Sequence, residues 1–147
     1  MGYAIALGKE LHGLGSFRDV PFDYEHIKQV TLRCMSDPSW FCRIAADDDG
    51  AWCGIMVGYV DSFLFSQQLL ANECMLYVRD GTKSRAKIAM MLIRAFVAWA
   101  LDERGATHVQ TGDVASINST AVDALYRHAG FERFGIIYKY SRPGSVV

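Results

Sequence analysis

Three places in this 147-residue chain combine residue types and spacings that could do chemistry. In "LLANECMLYV", residues 69–78, Glu73 is the only carboxylate in an apolar run. Alternation along a strand puts it on one face with Met75 and Tyr77, opposite Cys74, Leu76 and Val78. A carboxylate among apolar neighbours has its pKa raised, which suits a general base; a strand-end glutamate reaching solvent or an arginine is the other reading. In "INSTAVDALYRHAGF", residues 117–131, Tyr126 follows Leu125 and so lies about 100° around a helix from a core-facing position. At that edge a phenol can pack its ring and keep its oxygen free to move a proton, or be one more core aromatic. Lys83, Arg85 and Lys87 open a long helix, where each exposed cation works against the macrodipole by roughly 0.3–1 kcal/mol. With Thr82, Ser84 and the open backbone N–H groups they make a cradle for an anion, or else a solvated basic turn.

The elements that must position these residues follow from periodicity. Ile5, Leu7 and Leu11 predict a helix over Tyr3 to Gly13, stopped by Gly13 and Gly15. Tyr24, Ile27, Val30, Thr31 and Cys34 predict a second helix after Pro21, ended by Asp37-Pro38. "WFCRIAADDDGAWCGIMVGYV" reads as a hairpin about Asp49-Gly50, a dipeptide in which both residues tolerate positive φ. "LLANECMLYV" is the next strand. A stripe of Ile88, Met91, Leu92, Ala95, Phe96 and Trp99 predicts the longest helix, closed by Gly105. "THVQTGDV" is a strand, the Tyr126 segment a helix with Asn118 suited to its N-cap, and "FERFGIIYKY" a final strand. The order predicts an α/β (α+β) fold: a mixed, mostly antiparallel sheet with helices on both faces.

Composition narrows the class. The length suits one domain over residues 1–147, and 51% hydrophobic with 21% charged residues is a globular balance. A net charge of −1 gives no support for a nucleic-acid or membrane surface, and no apolar run is long enough for a signal peptide or a span. Cys34, Cys42, Cys53 and Cys74 are widely spaced in apolar runs, which suits reduced core thiols better than a disulfide frame or zinc site. The expected location is the cytoplasm. His12, His26, His108 and His128 form no metal-binding or catalytic spacing, so no metal is expected.

With these residues in place, the chain resembles the GNAT-type N-acetyltransferases, in particular small bacterial and phage-encoded members. Asn118, Ala121, Leu125-Tyr126 and Gly130-Phe131 match the family's Asn-x-x-Ala-x-x-x-Leu-Tyr-x-x-x-Gly-Phe. "ECMLYVRDGTKSRAKIAMMLIRAFVAWA" is similar to its strand, pyrophosphate loop and long helix, and "LHGLGSFRDVPFDYEHI" with the hairpin to its front half. The resemblance implies acetyl-CoA as co-substrate and direct attack by a primary amine, on a small molecule or a protein. It implies that Glu73 deprotonates the amine, that backbone N–H groups at Val78 and Arg79 hold the acetyl carbonyl, and that Tyr126 protonates the leaving thiolate. Lys83, Ser84, Arg85, Ala86, Lys87 and Ile88 would hold the pyrophosphate, and Asn118 would touch the coenzyme arm. "TKSRAKIA" lacks the glycines usual in that loop. This favours a second reading, a binding or assembly module on the same fold, for example part of a phage particle, that has lost the cofactor. The apolar "SFLF" could be a homodimer contact.

Overall fold

The computed structural model describes residues 2–16, 18–113 and 118–135. Helix α1 (Gly2–Leu14) turns Ala4, Ile5, Leu7 and Gly8 inward. Helix α2 (Tyr24–Ser36) starts where the Asp23 carboxylate accepts the His26 N–H and stops at Asp37, before Pro38. Strand β1 (Trp40–Ala46) runs antiparallel to β2 (Trp52–Ser62). Their connection is wider than a two-residue turn. Asp47 Oδ1 accepts the N–H groups of Asp49 and Ala51, and Gly50 takes φ +79° while Asp49 does not go left-handed.

Strand β3 (Leu69–Val78) pairs antiparallel with β2 and, on its other edge, parallel with β4 (His108–Gln110), giving the order β1-β2-β3-β4. The parallel pairing is brief: Leu70, Ala71 and Asn72 face His108, Val109 and Gln110. Of "THVQTGDV", His108–Gln110 form the strand and Thr111 to Asp113 leave the sheet beside Glu73, while Val114 lies outside the described residues. Of the expected final strand, Phe131 to Gly135 carry no strand and the rest lies outside the described residues.

Helices cover both faces, as the element order predicts. Helix α3 (Arg85–Ala98), its π-helical continuation Trp99–Glu103 and α4 (Ser119–His128) pack over Phe41, Met56, Ala71 and Val78. Helices α1 and α2 cover Ile55, Val57, Met75 and Tyr77 on the reverse. The buried stripe of α3 is Ala89, Leu92, Ile93 and Phe96, whereas Met91 is 51% exposed. Leu92, Phe96 and Trp99 belong to both the expected and observed stripes and Ile88 and Ala95 pack partly against the same cluster, but the helix is rotated so that Ile93 replaces Met91. Gly105 (φ +68°) ends the element as expected. All four cysteines are free thiols. Cys53 is buried and Cys34 and Cys42 half-buried, but Cys74 is exposed, which corrects its expected place in the core.

The exposure of Cys74 has a cause. Val57 pairs with Met75 and Gly58 with Glu73, so Cys74 is an extra residue in β3, a β-bulge. Side chains before it and after it alternate out of phase. Leu69 and Ala71 lie on the α3 face, and so do Leu76 and Val78, while Met75 and Tyr77 lie on the α1 face. Gly58 opposite the bulge is a packing necessity. A Cβ there would stand 2.5 Å from Phe96 Cε2 and 2.7 Å from Asn72 O.

Candidate active site

The bulge decides where Glu73 points. Unbroken alternation predicts the face of Met75 and Tyr77; the extra residue puts Glu73 instead on the face of Leu76 and Val78, under α4. There its Oε2 accepts the Tyr126 O–H at 2.8 Å and the Gly112 N–H at 3.3 Å, and the Leu76 N–H also bonds to the carboxylate. Burial pushes the Glu73 carboxyl above its ordinary range, the like charge of Asp113 adds to this, and the three hydrogen bonds pull the other way.

Tyr126 is held by its own helix. Asn118 caps α4, its side chain accepting the Ala121 N–H at 3.3 Å. Val122, Leu125 and Ala129 pack partly against the α3 cluster, and Tyr126, 9% exposed, is the buried residue of this helix. Gly130, at φ +93°, turns the chain so that the Phe131 N–H returns to Tyr126 O (3.0 Å). The Phe131 ring stands edge-on to the phenol, centroids 5.4 Å apart. Tyr126 thus sits in the buried stripe and not at its edge, and its oxygen is not free: it donates to Glu73. Burial first, then the Glu73 charge, push the phenol far above the usual tyrosine range; the Thr111 side chain bonds to the same group.

At the end of β3 the structure separates two residues that the sequence takes together. The Arg79 N–H donates to Cys53 O at 2.8 Å, continuing the β2 ladder, so it is unavailable to a carbonyl. The Arg79 side chain ties α1 to the sheet, with Nη2 and Nε on the two Glu10 oxygens at 2.7 and 3.0 Å and Nη1 on Trp52 O at 3.1 Å. Because the 79–53 pair is hydrogen-bonded, alternation turns the Val78 N–H away from β2, toward the other edge of β3. The Leu76 N–H is turned the same way, where it meets Glu73.

The loop after β3 turns without the glycines expected of it. Gly81 (φ +78°) lies just before "TKSRAKIA", and Ser84 takes φ +56°, ψ +33°, the left-handed region that side chains rarely adopt. The first bond of α3 runs from the Ile88 N–H to Ser84 O, which leaves the N–H groups of Arg85, Ala86 and Lys87 ahead of the helix's own ladder. Lys83, Ser84, Arg85, Ala86 and Lys87 are exposed, Ile88 packs on the core, and Arg85 is ion-paired with Asp80. This set fits an anion: peptide donors, two exposed lysines and a helix N-terminus meet at one place.

Sequence reasoning missed the bulge, the Gly112 and Leu76 donors and the Glu10–Arg79 tie. The Asp80-Gly81 dipeptide, a turn signal, could have located the loop's left-handed residue. Among the described residues no group of three or more His, Cys, Asp or Glu could hold a metal ion, and no helix is long and apolar enough to cross a membrane.

No protein-family model matches the sequence, and no curated protein matches it. Solved structures do. A putative acetyltransferase from Pyrococcus furiosus is 19% identical with a TM-score of 0.69, covering 96% of this chain and 93% of its own. AAC(6')-Iy, in complex with the bisubstrate analogue CoA-S-monomethyl-acetylneamine, is 19% identical with a TM-score of 0.71, covering 96% and 90%. Glucosamine-6-phosphate N-acetyltransferase from Arabidopsis thaliana is 14% identical with a TM-score of 0.70, covering 92% and 87%. With a four-stranded sheet and helices on both faces, the chain has the GNAT acetyltransferase fold.

Proposed function

We propose that the protein is an N-acetyltransferase that uses acetyl-CoA to acetylate a primary amine. The observation that carries this is the buried Glu73–Tyr126 pair just past the last β3–β4 pairing, with the N-terminus of α3 following the end of the same strand. Acetyl-CoA supplies an acyl group activated as a thioester and a thiol as leaving group. Its diphosphate fits the Arg85, Ala86 and Lys87 N–H groups, with Lys83 and Lys87 as counter-charge and Ser84 shaping the turn. Asn118, engaged as the cap of α4, can also offer its amide there. Val78 turns a backbone N–H to the edge of β3 away from β2, where it is a donor for a carbonyl oxygen. Glu73, kept basic by burial, is the acceptor for an amine proton, and Tyr126 holds the proton that a departing sulfur needs.

Calorimetry with acetyl-CoA and CoA tests the reading. Binding is expected, weakened when Lys83 and Lys87 are both replaced by alanine; no binding at millimolar ligand sinks it. Tyr126→Phe is expected to lower turnover and leave acetyl-CoA affinity almost unchanged, whereas equal loss of both would assign Tyr126 to packing. The second reading, a binding or assembly module, rests on the glycine-free "TKSRAKIA". Against it, Gly81 and Ser84 give the loop its left-handed residues.

A further inference from the structure

Glu73 and Tyr126 are bonded to each other, and this constrains what either can do alone. With Glu73 ionised, Tyr126 donates to Oε2 at 2.8 Å in a buried site. If Tyr126 gave its proton away in that state, a phenolate and a carboxylate would face each other at hydrogen-bond distance. Like charges so placed cannot both persist. The surroundings offer little relief. The titratable neighbours of the pair are Asp113, whose charge opposes a further anion on either group, and Cys74 beside Glu73; among the described residues no cation bears on the Glu73 carboxylate. The Gly112 and Leu76 N–H groups bond to the same carboxylate and favour its place beside the phenol.

We propose that Tyr126 and Glu73 form a single two-proton unit in which Glu73 must take the amine's proton before Tyr126 can release its own to the leaving sulfur. This rests on the acetyl-transfer reading. In the first step an N–H bond of the attacking amine breaks and an O–H bond forms on Glu73. The nitrogen's electron pair forms the C–N bond to the acetyl carbon. In the second step the C–S bond breaks with its pair on sulfur, the Tyr126 O–H bond breaks as an S–H bond forms, and the proton on Glu73 passes to the phenol oxygen. The pair ends as it began. The net change is one proton moved from nitrogen to sulfur, with no other reactant. Base and acid are therefore consecutive states of one site, and the thiol cannot leave protonated until the amine has been deprotonated.

Two measurements test this. In ligand-free protein with ¹³C-labelled glutamate carboxyls, the Glu73 titration followed by NMR is expected to move to higher pH in Tyr126→Phe, because a donor to the carboxylate has gone. A merely packed phenol would leave it unmoved. In turnover, Tyr126→Phe and Glu73→Gln are each expected to lose about 10²- to 10⁴-fold. The double variant is expected to lose no more than about threefold beyond the worse single one, as groups acting as a unit do. Multiplying losses with an unmoved Glu73 titration would overturn the unit and leave the transferase reading standing. Failure to bind acetyl-CoA would remove both.

Discussion

Among the described residues, two glutamates accept a hydrogen bond from a tyrosine, one on each face of the sheet. On the α1 face Glu10 takes the Tyr77 O–H at 3.4 Å, and on the α4 face Glu73 takes the Tyr126 O–H at 2.8 Å. The first pair includes a guanidinium: Arg79 grips both Glu10 oxygens and holds that carboxyl below its ordinary range. The second has, among the described residues, peptide N–H donors and a like charge beside the phenol but no cation, and burial drives its carboxyl up. A carboxylate with a fixed cation has no use for a proton and serves as a tie. One that is buried without a cation must rely on protons for neutrality, which is the condition for acid–base work. The two sites share a strand, and the bulge at Cys74 puts Glu73 and Tyr77, which would otherwise share a face, on opposite sides.

The hardest test of this comparison is to delete Cys74. Strict alternation would return, and one half of β3 would have to present its side chains to the wrong face. Losing the burial of Leu76 and Val78 alone corresponds to a loss on the order of 3–6 kcal/mol. Urea denaturation should show a collapse of the midpoint or no cooperative transition. An unchanged midpoint would mean that the bulge does not assign the faces.

Gly58→Ala is expected to do less, about 1–3 kcal/mol by overpacking. The new methyl would press on Phe96 and on the Asn72 carbonyl, next to Glu73, and leave the Arg79–Glu10 tie untouched. Its damage should therefore appear in the amide NMR shifts of Glu73 and Gly112 before those of Glu10. Equal perturbation on both faces would contradict the separation.

The bulge also marks where the sequence stops being readable. Helix spans, the hairpin and the strand carrying Glu73 follow from periods of 3.6 and 2, which local residue types express. Glu73 stands out because it is the lone carboxylate in an apolar strand. Its direction does not, since no residue type in "NECML" announces an extra residue; only Gly58, far away in the sequence, accommodates it. The same limit explains Met91 and Ile93, which are equally apolar and differ only in how α3 is rotated against the sheet. Arg79 reads as a strand end because its partner Glu10 lies 69 residues earlier. Ser84 reads as an ordinary hydroxyl, because a left-handed serine is imposed by the loop and not by its own preference.

The two carboxylates should also tilt the pH dependence of stability in opposite directions. Glu73, raised by burial, binds its proton more tightly in the folded chain. Its contribution is greatest in acid and declines as pH rises from the ordinary carboxylate range through its elevated value. Glu73→Gln removes that decline, so the variant's melting temperature should gain on the wild type as pH rises from the ordinary carboxylate range through the raised Glu73 value. A difference that stays constant as pH rises would mean that folding does not raise the Glu73 carboxyl.

Arg79→Met is the mildest change and completes the contrast. Glu10 is depressed first by its hydrogen bond to Arg79, so the folded state releases its proton more readily than the unfolded chain. The tie therefore contributes above the ordinary carboxylate range and is lost as pH falls through the depressed value. Both partners are more than a third exposed, and solvent screening keeps the effect at neutral pH under about 1 kcal/mol. The variant should melt slightly below the wild type at pH 7 and meet it once pH has fallen through the depressed Glu10 value, the reverse of the trend in Glu73→Gln. Turnover should fall little, because the Val78 N–H is held by β3 itself and not by the guanidinium. If Arg79→Met instead lost as much activity as Tyr126→Phe, the α1 face would belong to the chemistry, and the division between a tied carboxylate and a proton-dependent one would fail.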